Sequence, residues 1–192
     1  MSHKSMETDT TQFCGIAVEN AKNPHNIGGI VRSCGCFNAS YAVFGGNQWK
    51  EYDADWRNMD VMVRRKEMPV FLGVDNILNY VPYDTTIVAI ERSEKSVSLV
   101  DFKHPRRALY VLGGEDCSVS SVILSKTKHK VHIPAGSLNI AACAYIVLYD
   151  REAKKSSWVS TQPKCPICES QFNKTTPDSH IHCITCGHMW EA

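Results

Sequence analysis

The chain has 192 residues, a formal net charge of +1 and 43% hydrophobic residues, which accommodates one domain and a small second module. With 21% charged residues its composition is that of a globular protein, which excludes the disordered and collagen-like classes. A charge so near zero gives no global signature of nucleic-acid binding, so any contact with RNA must come from local basic patches.

The amino terminus and the cysteines both indicate an intracellular protein. Residues 1–11 lack the apolar stretch of a secretion signal, and the longest apolar run, residues 140–149, is too short to span a bilayer. Of the nine cysteines, four form Cys-x-x-Cys pairs near the end of the chain and the others lie in apolar segments. We therefore expect a soluble, cytoplasmic protein with no membrane partner, reduced thiols and one metal site.

The main part of the sequence alternates strand and helix patterns. In chain order, the pattern predicts a strand at 15–18, a helix at 26–37, a strand at 40–44, a helix at 70–80, strands at 86–90 and 108–112, a helix at 118–127, a strand at 130–133 and a helix at 138–155. Several of these strands are apolar on both faces, as buried parallel strands must be. This order predicts an α/β fold with a Rossmann-like, mostly parallel sheet, whose ligands bind at the carboxyl ends of the strands.

Glycines follow the predicted strand at 108–112 and not the first strand. The Gly-x-Gly-x-x-Gly turn of dinucleotide-binding proteins is missing after residue 18, which argues against an ordinary Rossmann dehydrogenase. Gly113 and Gly114 carry no side chains, so the backbone there could approach a flat cofactor closely. A sharp turn alone would explain them equally well.

The carboxyl-terminal residues have the pattern of a zinc ribbon. Residues 156–164 are polar and indicate a linker, and residues 165–192 form a unit too short to bury a core of its own. The predicted zinc ligands are Cys165, Cys168, Cys183 and Cys186. Two such Cys-x-x-Cys pairs can close a structural site of four sulfurs, and the zinc would supply the folding free energy of the unit. A redox dithiol or two disulfides are the alternatives, and the doubled motif fits them less well.

Three segments of the main domain carry further motifs. Residues 23–32 read Asn-Pro-His-Asn-Ile-Gly-Gly-Ile-Val-Arg, residues 109–115 end in Gly-Gly-Glu, and residues 133–140 contain Ile-Pro and then Ser-Leu-Asn. In order and spacing, these segments resemble the signature motifs of the SpoU (TrmH-like) branch of the SPOUT superfamily of RNA methyltransferases. The resemblance covers about residues 12–153 and identifies residues 12–155 as a methyltransferase domain.

The resemblance implies a deep trefoil knot in the carboxyl-terminal part of this domain, folded around S-adenosylmethionine, and a homodimer formed through the knot region. It places backbone contacts to the adenosine part of the cofactor near Ile90, Gly113, Ile133 and Leu138. It adds Gly114, Glu115 and Ser137 to the cofactor-binding residues. It assigns the methyl-transfer site to Asn26, Arg32, Ser137 and Asn139.

The chemistry of a ribose 2′-hydroxyl fits this assignment. That hydroxyl is a poor nucleophile, so methyl transfer needs its proton drawn off or the developing alkoxide stabilised, and the resemblance gives this role to Arg32. The alternative is a solvated arginine on a helix surface. Asn26 lies near the start of the predicted helix, where a short polar side chain can cap free amides.

The predicted function is transfer of a methyl group from S-adenosylmethionine to a ribose 2′-oxygen of tRNA or rRNA. Basic clusters at 64–66, 103–107 and 126–130 could track phosphates, although such clusters are more often solvated surfaces. The chain departs from the family pattern at Ser118, where the family has glycine, and in a short loop of two residues between Pro134 and Ser137. The alternative is therefore a catalytically weak or inactive RNA-binding protein of the same fold. Methylation of a base is a third possibility, which the motif at 23–32 favours less.

Overall fold

The structure, a computed structural model, describes residues 13–46, 68–155, 166–167, 173–175, 180–183 and 188–191. The chain divides into two units, Met1–Ala153 and Lys154–Ala192. No helix in the described ranges has both the length and the apolar composition that a membrane crossing requires.

Seven parallel strands form the sheet of the first unit. They are β1 (Phe13–Val18), β2 (Tyr41–Gly45), β3 (Val70–Val74), β4 (Thr86–Ile90), β5 (Val97–Ser98), β6 (Arg107–Leu112) and β7 (His129–His132). Their spatial order is β3-β2-β1-β6-β4-β7-β5, and every pair is parallel. The central strands β1, β6 and β4 are buried on both faces, so the predicted α/β fold with a parallel sheet is confirmed.

Among the described residues of the first unit, three α-helices cover the two faces of the sheet. They are α1 (Pro24–Cys36), α2 (Ser121–Lys126) and α3 (Ile140–Lys154). Side chains of α1 and α3 share one apolar core with Tyr110 of β6, and Ile123 of α2 shares a second core with Leu109 of the same strand. Neighbouring residues of a strand point to opposite faces, so β6 contributes to both cores. The sheet therefore lies between two packed layers of helices, and its loops emerge at the edges.

The prediction of a helix at 70–80 is wrong. Residues 70–74 form the edge strand β3, which pairs with β2, and residues 77–80 form a short 3-10 helix. Gly73 has a φ of +65°, which interrupts helical geometry, and Asn76 caps the 3-10 helix through its side chain. The apolar residues of this segment fit the periodicity of a helix and that of a strand. Pairing with β2 favours the strand. The short strand β5 was not predicted.

The second unit contains a small antiparallel sheet. Its strands are β8 (Asn173–Thr175), β9 (His180–Cys183) and β10 (Met189–Glu191), in the order β10-β9-β8. Of the predicted zinc ligands, Cys165, Cys168 and Cys186 lie outside the described residues, and the side chain of Cys183 is not described. Within the described ranges, no group of three or more His, Cys, Asp or Glu residues could hold a metal ion. The zinc site stays a prediction.

Candidate active site

The loops that follow β1, β4, β6 and β7 meet at the carboxyl edge of the sheet, because parallel strands all end there. Two carboxylates fix the loop between β6 and α2 at this edge. Glu19, after β1, accepts a hydrogen bond from the backbone N–H of Ser120 at 2.7 Å. Glu91, after β4, accepts one from the backbone N–H of Val119 at 3.0 Å. The loop after β6 is therefore held from both sides.

Glu115 joins the same loop to the start of α1. Its Oε1 accepts from the backbone N–H of Asn23 at 3.0 Å and from Nδ2 of Asn26 at 2.9 Å. Its Oε2 accepts from the backbone N–H of Lys22 at 2.9 Å. A carboxylate that accepts three hydrogen bonds is well suited to hold free amides at the amino end of a helix.

Asn26 extends this series of hydrogen bonds to the start of α3. Its Oδ1 accepts from Nδ2 of Asn139 at 2.8 Å, and Oδ1 of Asn139 accepts from the backbone N–H groups of Ala141 and Ala142 at 2.8 and 3.4 Å. Asn139 therefore caps α3. The series Glu115–Asn26–Asn139, which we call the carboxamide chain, brings the three sequence motifs together.

The expected capping role of Asn26 is wrong. Asn23 is the cap of α1, and its side chain accepts from the backbone N–H of His25 at 2.9 Å. The side chain of Asn26 is buried, and its two polar ends are directed to Glu115 and Asn139 instead. The tertiary contacts therefore decide which asparagine caps the helix.

Arg32 lies on α1 away from the carboxamide chain. Its side chain is exposed and makes no hydrogen bond or ion pair with another residue in the described ranges. It comes less than two turns after Asn26, on a different face of the helix, and two turns after His25, which is exposed on the same face. The structure thus presents Arg32 and His25 together at the surface.

A cavity of about 110 Å³ lies between the loops after β4 and β7. Its lining residues are Ile90, Glu91, Arg92, His132, Ile133, Gly136, Leu138 and Cys143. Ile90, Ile133 and Leu138 were predicted to bind the cofactor, and the structure brings them together here. Ser137 lies in the same loop, exposed. Burial raises the pKa of the Cys143 thiol, so this group stays protonated beside the cavity.

Gly113, Gly114 and Glu115 are not among the residues that line this cavity. A Cβ at Gly113 would lie 2.1 Å from the carbonyl oxygen of Cys117, and one at Gly114 would lie 2.4 Å from that of Asn20. Close approach within the loop thus accounts for both glycines, and their contact with a cofactor stays a prediction.

The lining of the cavity fits part of a nucleoside cofactor. Ile90, Ile133 and Leu138 supply apolar walls for a flat base, and Glu91, Arg92 and His132 supply polar groups, which is the mixture typical of cofactor sites. Ligand sites usually have volumes of about 300 Å³ or more. A complete nucleoside cofactor would therefore fit only if the loops after β4 and β7 moved apart. Open space adjoins the cavity at Gly136, where a Cβ would meet no atom within 4 Å.

Comparison with known proteins decides the family. The model of the SpoU rRNA Methylase family matches residues 14–149, which is most of the chain. The chain belongs to this family. Among curated proteins, the SpoU chain is 26% identical over 149 residues to a tRNA (guanosine(18)-2′-O)-methyltransferase of Aquifex aeolicus, covering 73% of this chain and 69% of that protein. It is 23% identical over 135 residues to the mouse tRNA (guanosine(18)-2′-O)-methyltransferase TARBP1, covering 66% of this chain but only 8% of the mouse protein.

Solved structures share the fold of this SpoU domain. The SpoU methyltransferase AviRb from Streptomyces viridochromogenes, in complex with the cofactor AdoMet, has a TM-score of 0.65 at 23% identity, covering 76% of this chain and 59% of AviRb. The Aquifex aeolicus TrmH/SpoU tRNA modifying enzyme has a TM-score of 0.64 at 24% identity, covering 76% of this chain and 77% of that chain. The seven-stranded parallel sheet thus matches those of SpoU methyltransferases.

The motif analysis did not single out several residues of this edge. Glu19 and Arg92 were missed, and so were the cavity positions of His132 and Cys143. The available signal was position, because Glu19 and Arg92 follow strands β1 and β4 and His132 ends β7. Polar residues at the carboxyl ends of parallel strands are candidates wherever they occur.

Proposed function

We propose that this chain transfers a methyl group from S-adenosylmethionine to a ribose 2′-hydroxyl of tRNA or rRNA. The carboxamide chain carries the proposal, because it joins the three family motifs beside a cavity with nucleoside-compatible walls. The activity of the Aquifex relative and the AdoMet complex of AviRb support the substrate and the cofactor.

The residues have separable tasks in this reaction. S-adenosylmethionine, when bound, supplies the methyl group, and Ile90, Ile133 and Leu138 would hold its adenosine part. Arg32, an exposed cation, orients the RNA phosphate and offsets the negative charge that develops on the 2′-oxygen. Asn139 retains one Nδ2 hydrogen beyond its bond to Asn26, and this hydrogen can donate to a ligand oxygen at the start of α3.

The same proposal includes the finer features of the family. We infer a trefoil knot around the cavity and a homodimer that completes the RNA site. An aromatic patch at the carboxyl end of α1 and on α3 supports the dimer: Phe37 packs edge-on against Tyr145 and Tyr149, and Tyr149 is 64% exposed. Light scattering at micromolar concentration tests the dimer, and a strictly monomeric mass would contradict it.

The second unit is proposed as a zinc ribbon at 165–192 that docks on RNA, joined by a linker at 156–164 to the methyltransferase domain at 12–155. The strand β9 ends at Cys183, and small antiparallel sheets of this kind are compatible with paired Cys-x-x-Cys units. The reduced thiols expected of such a site fit a cytoplasmic location.

An assay of tritiated methyl transfer to tRNA and rRNA tests the activity, with calorimetry of S-adenosylmethionine binding in parallel. Arg32→Ala should lower transfer by roughly 10²-fold or more and leave cofactor binding nearly unchanged. Lysine should replace Arg32 poorly, because it lacks the planar fork of N–H groups.

The matched control is Arg106→Ala, which removes another exposed arginine just before β6, at the amino edge of the sheet. This variant should keep its rate of transfer. Equal losses in both variants would indicate general attraction of RNA, and full activity of Arg32→Ala would remove Arg32 from the mechanism.

The second candidate is an RNA-binding protein with little or no turnover. The small cavity and the short loop between Pro134 and Ser137 favour it. A wild-type protein that binds RNA but neither S-adenosylmethionine nor its product would establish this alternative.

A further inference from the structure

Arg92 links the two loops that border the cavity. It follows β4, lines the cavity, and donates a hydrogen bond from Nη2 to the backbone carbonyl oxygen of Ala135, in the loop after β7. Gly136, the next residue, also lines the cavity. The side chain of Arg92 thus bridges the rim of the cavity at the loop after β7, which is shorter here than in the family pattern.

The charge of Arg92 has no acidic partner in the described ranges. The adjacent carboxylate, Glu91, accepts from the backbone N–H of Val119 at 3.0 Å and from the hydroxyl of Ser118 at 3.3 Å. The partner of Arg92 is a neutral carbonyl, which leaves most of its five N–H donors available. A guanidinium makes stronger, paired hydrogen bonds with a carboxylate than with one carbonyl oxygen.

We propose that Arg92 binds the carboxylate of the methionyl part of S-adenosylmethionine and determines the specificity of the site for ligands that carry it. This inference rests on the proposed function. The cofactor has one anionic group, and the apolar walls of the cavity suit its base, so the remaining end needs a cation near the rim. Exchange of the carbonyl of Ala135 for this carboxylate also releases the loop that limits the cavity.

Calorimetry with two ligands tests this role without any methyl transfer. S-adenosylhomocysteine has the carboxylate, and 5′-methylthioadenosine has the same nucleoside and thioether without it. Arg92→Gln should weaken binding of S-adenosylhomocysteine by roughly 10- to 100-fold, the scale of a hydrogen bond to a charged group, and should change that of 5′-methylthioadenosine by less than about threefold. Arg92→Lys should recover part of the lost affinity, because it restores the charge alone.

Lys95→Gln is the matched control, since Lys95 is an exposed cation three positions later that does not line the cavity. It should bind both ligands as the wild type does. Arg92 is exposed, so the unfolding midpoints of all variants should agree.

Each contrary outcome has a distinct meaning. Equal weakening of both ligands in Arg92→Gln would reduce Arg92 to a residue that shapes the cavity, and equal strengthening would make it a latch that closes the cavity. Unchanged binding of both ligands with weaker binding of RNA would assign Arg92 to a phosphate. All three overturn the carboxylate role and leave the proposed function standing. A wild type that binds neither ligand overturns both.

Discussion

Glu115→Gln should loosen the junction between the loop after β6 and the amino end of α1. The carboxylate accepts from the backbone N–H groups of Lys22 and Asn23 and from the side chain of Asn26. A glutamine has one acceptor oxygen, and its NH2 group must then face at least one of these donors. Whichever way the amide turns, a hydrogen bond is lost and two donors oppose each other.

The expected cost follows from the hydrogen bonds that are lost. A hydrogen bond to a charged group contributes about 1.5–3 kcal/mol, and a donor left unpaired in a buried site costs about 1–3 kcal/mol. The Glu115 contacts are partly buried, so the free energy of unfolding should fall by about 2 kcal/mol. With a urea dependence of about 2 kcal/mol per molar, the unfolding midpoint would fall by about 1 M.

The control is the same chemical change one position later. Asp116→Asn removes an ion pair with Lys22, whose Nζ lies 2.5 Å from Asp116 Oδ2, with Asp116 largely exposed. The pKa of Lys22 is raised chiefly by its hydrogen bond to Asp116. Such surface pairs stabilise proteins little, so the midpoint of this variant should match that of the wild type.

Activity provides the second readout for Glu115→Gln. Without the carboxylate, Asn26 loses the group that orients its amide, and Asn139 loses a fixed partner. Methyl transfer should fall even in the absence of denaturant. If Glu115→Gln and Asp116→Asn unfold at the same urea concentration, the carboxamide chain does not stabilise the site as argued.

Three further predictions concern buried groups and the proposed zinc ribbon. Arg151→Met should lower the free energy of unfolding by about 2–4 kcal/mol in a urea titration. The guanidinium of Arg151 donates to the carbonyls of Pro105 and Arg106 at 2.6 Å and to the Tyr110 hydroxyl at 2.9 Å, and the variant loses all three hydrogen bonds. The carbonyl of Arg106 keeps the backbone N–H of Phe13 as a donor at 3.1 Å, whereas the carbonyl of Pro105 loses its donor. Burial raises the pKa of the Cys34 thiol from its ordinary value of 9.0, so below that pH both states keep the proton and above it only the unfolded chain loses it; the free energy of unfolding should therefore decline by up to about 1.4 kcal/mol per pH unit above about pH 9, in titrations up to about pH 11. Purified protein should contain about one zinc per chain by atomic absorption, and Cys165→Ser should lose it while the unfolding midpoint of the methyltransferase domain is retained.

The sequence predicts the centre of the sheet well because burial there is two-sided. The residues of β1, β4 and β6 are mostly apolar in succession, and runs of only five or six such residues are typical of buried parallel strands. The edge is harder. The segment at 70–80 has apolar residues at spacings that suit a helix, and its strand depends on pairing with β2, which lies across the undescribed residues 47–67 in the sequence.

The candidate site, like the sheet, was predictable from the sequence only in part. The motif resemblance assigned Asn26 and Asn139 to the methyl-transfer site and Glu115 to the cofactor, and the structure joins the three side chains by hydrogen bonds. Their hydrogen bonds are not predictable from local pattern, since the partners are 89 and 113 positions apart. Local rules therefore assigned Asn26 the capping role that Asn23 has. Arg92 has no local signature, because its position against Ala135 depends on the packing of two loops.

The charged side chains at the carboxyl edge and on the adjoining helix α1 differ in role: the carboxylates hold loops together, and the arginines face the surface. Glu19, Glu91 and Glu115 each accept backbone N–H groups from a neighbouring loop, so these carboxylates hold the loops to one another. Arg32 and Arg92 are exposed and have no carboxylate partner among the described residues. The backbone amides that face the carboxylates stabilise their negative charge by hydrogen bonding, and the side chains of the two arginines remain available to solvent or to a ligand. In a chain with a net charge of +1, exposed arginines of this kind are the local source of attraction for an anionic ligand, because the charge of the whole chain supplies little.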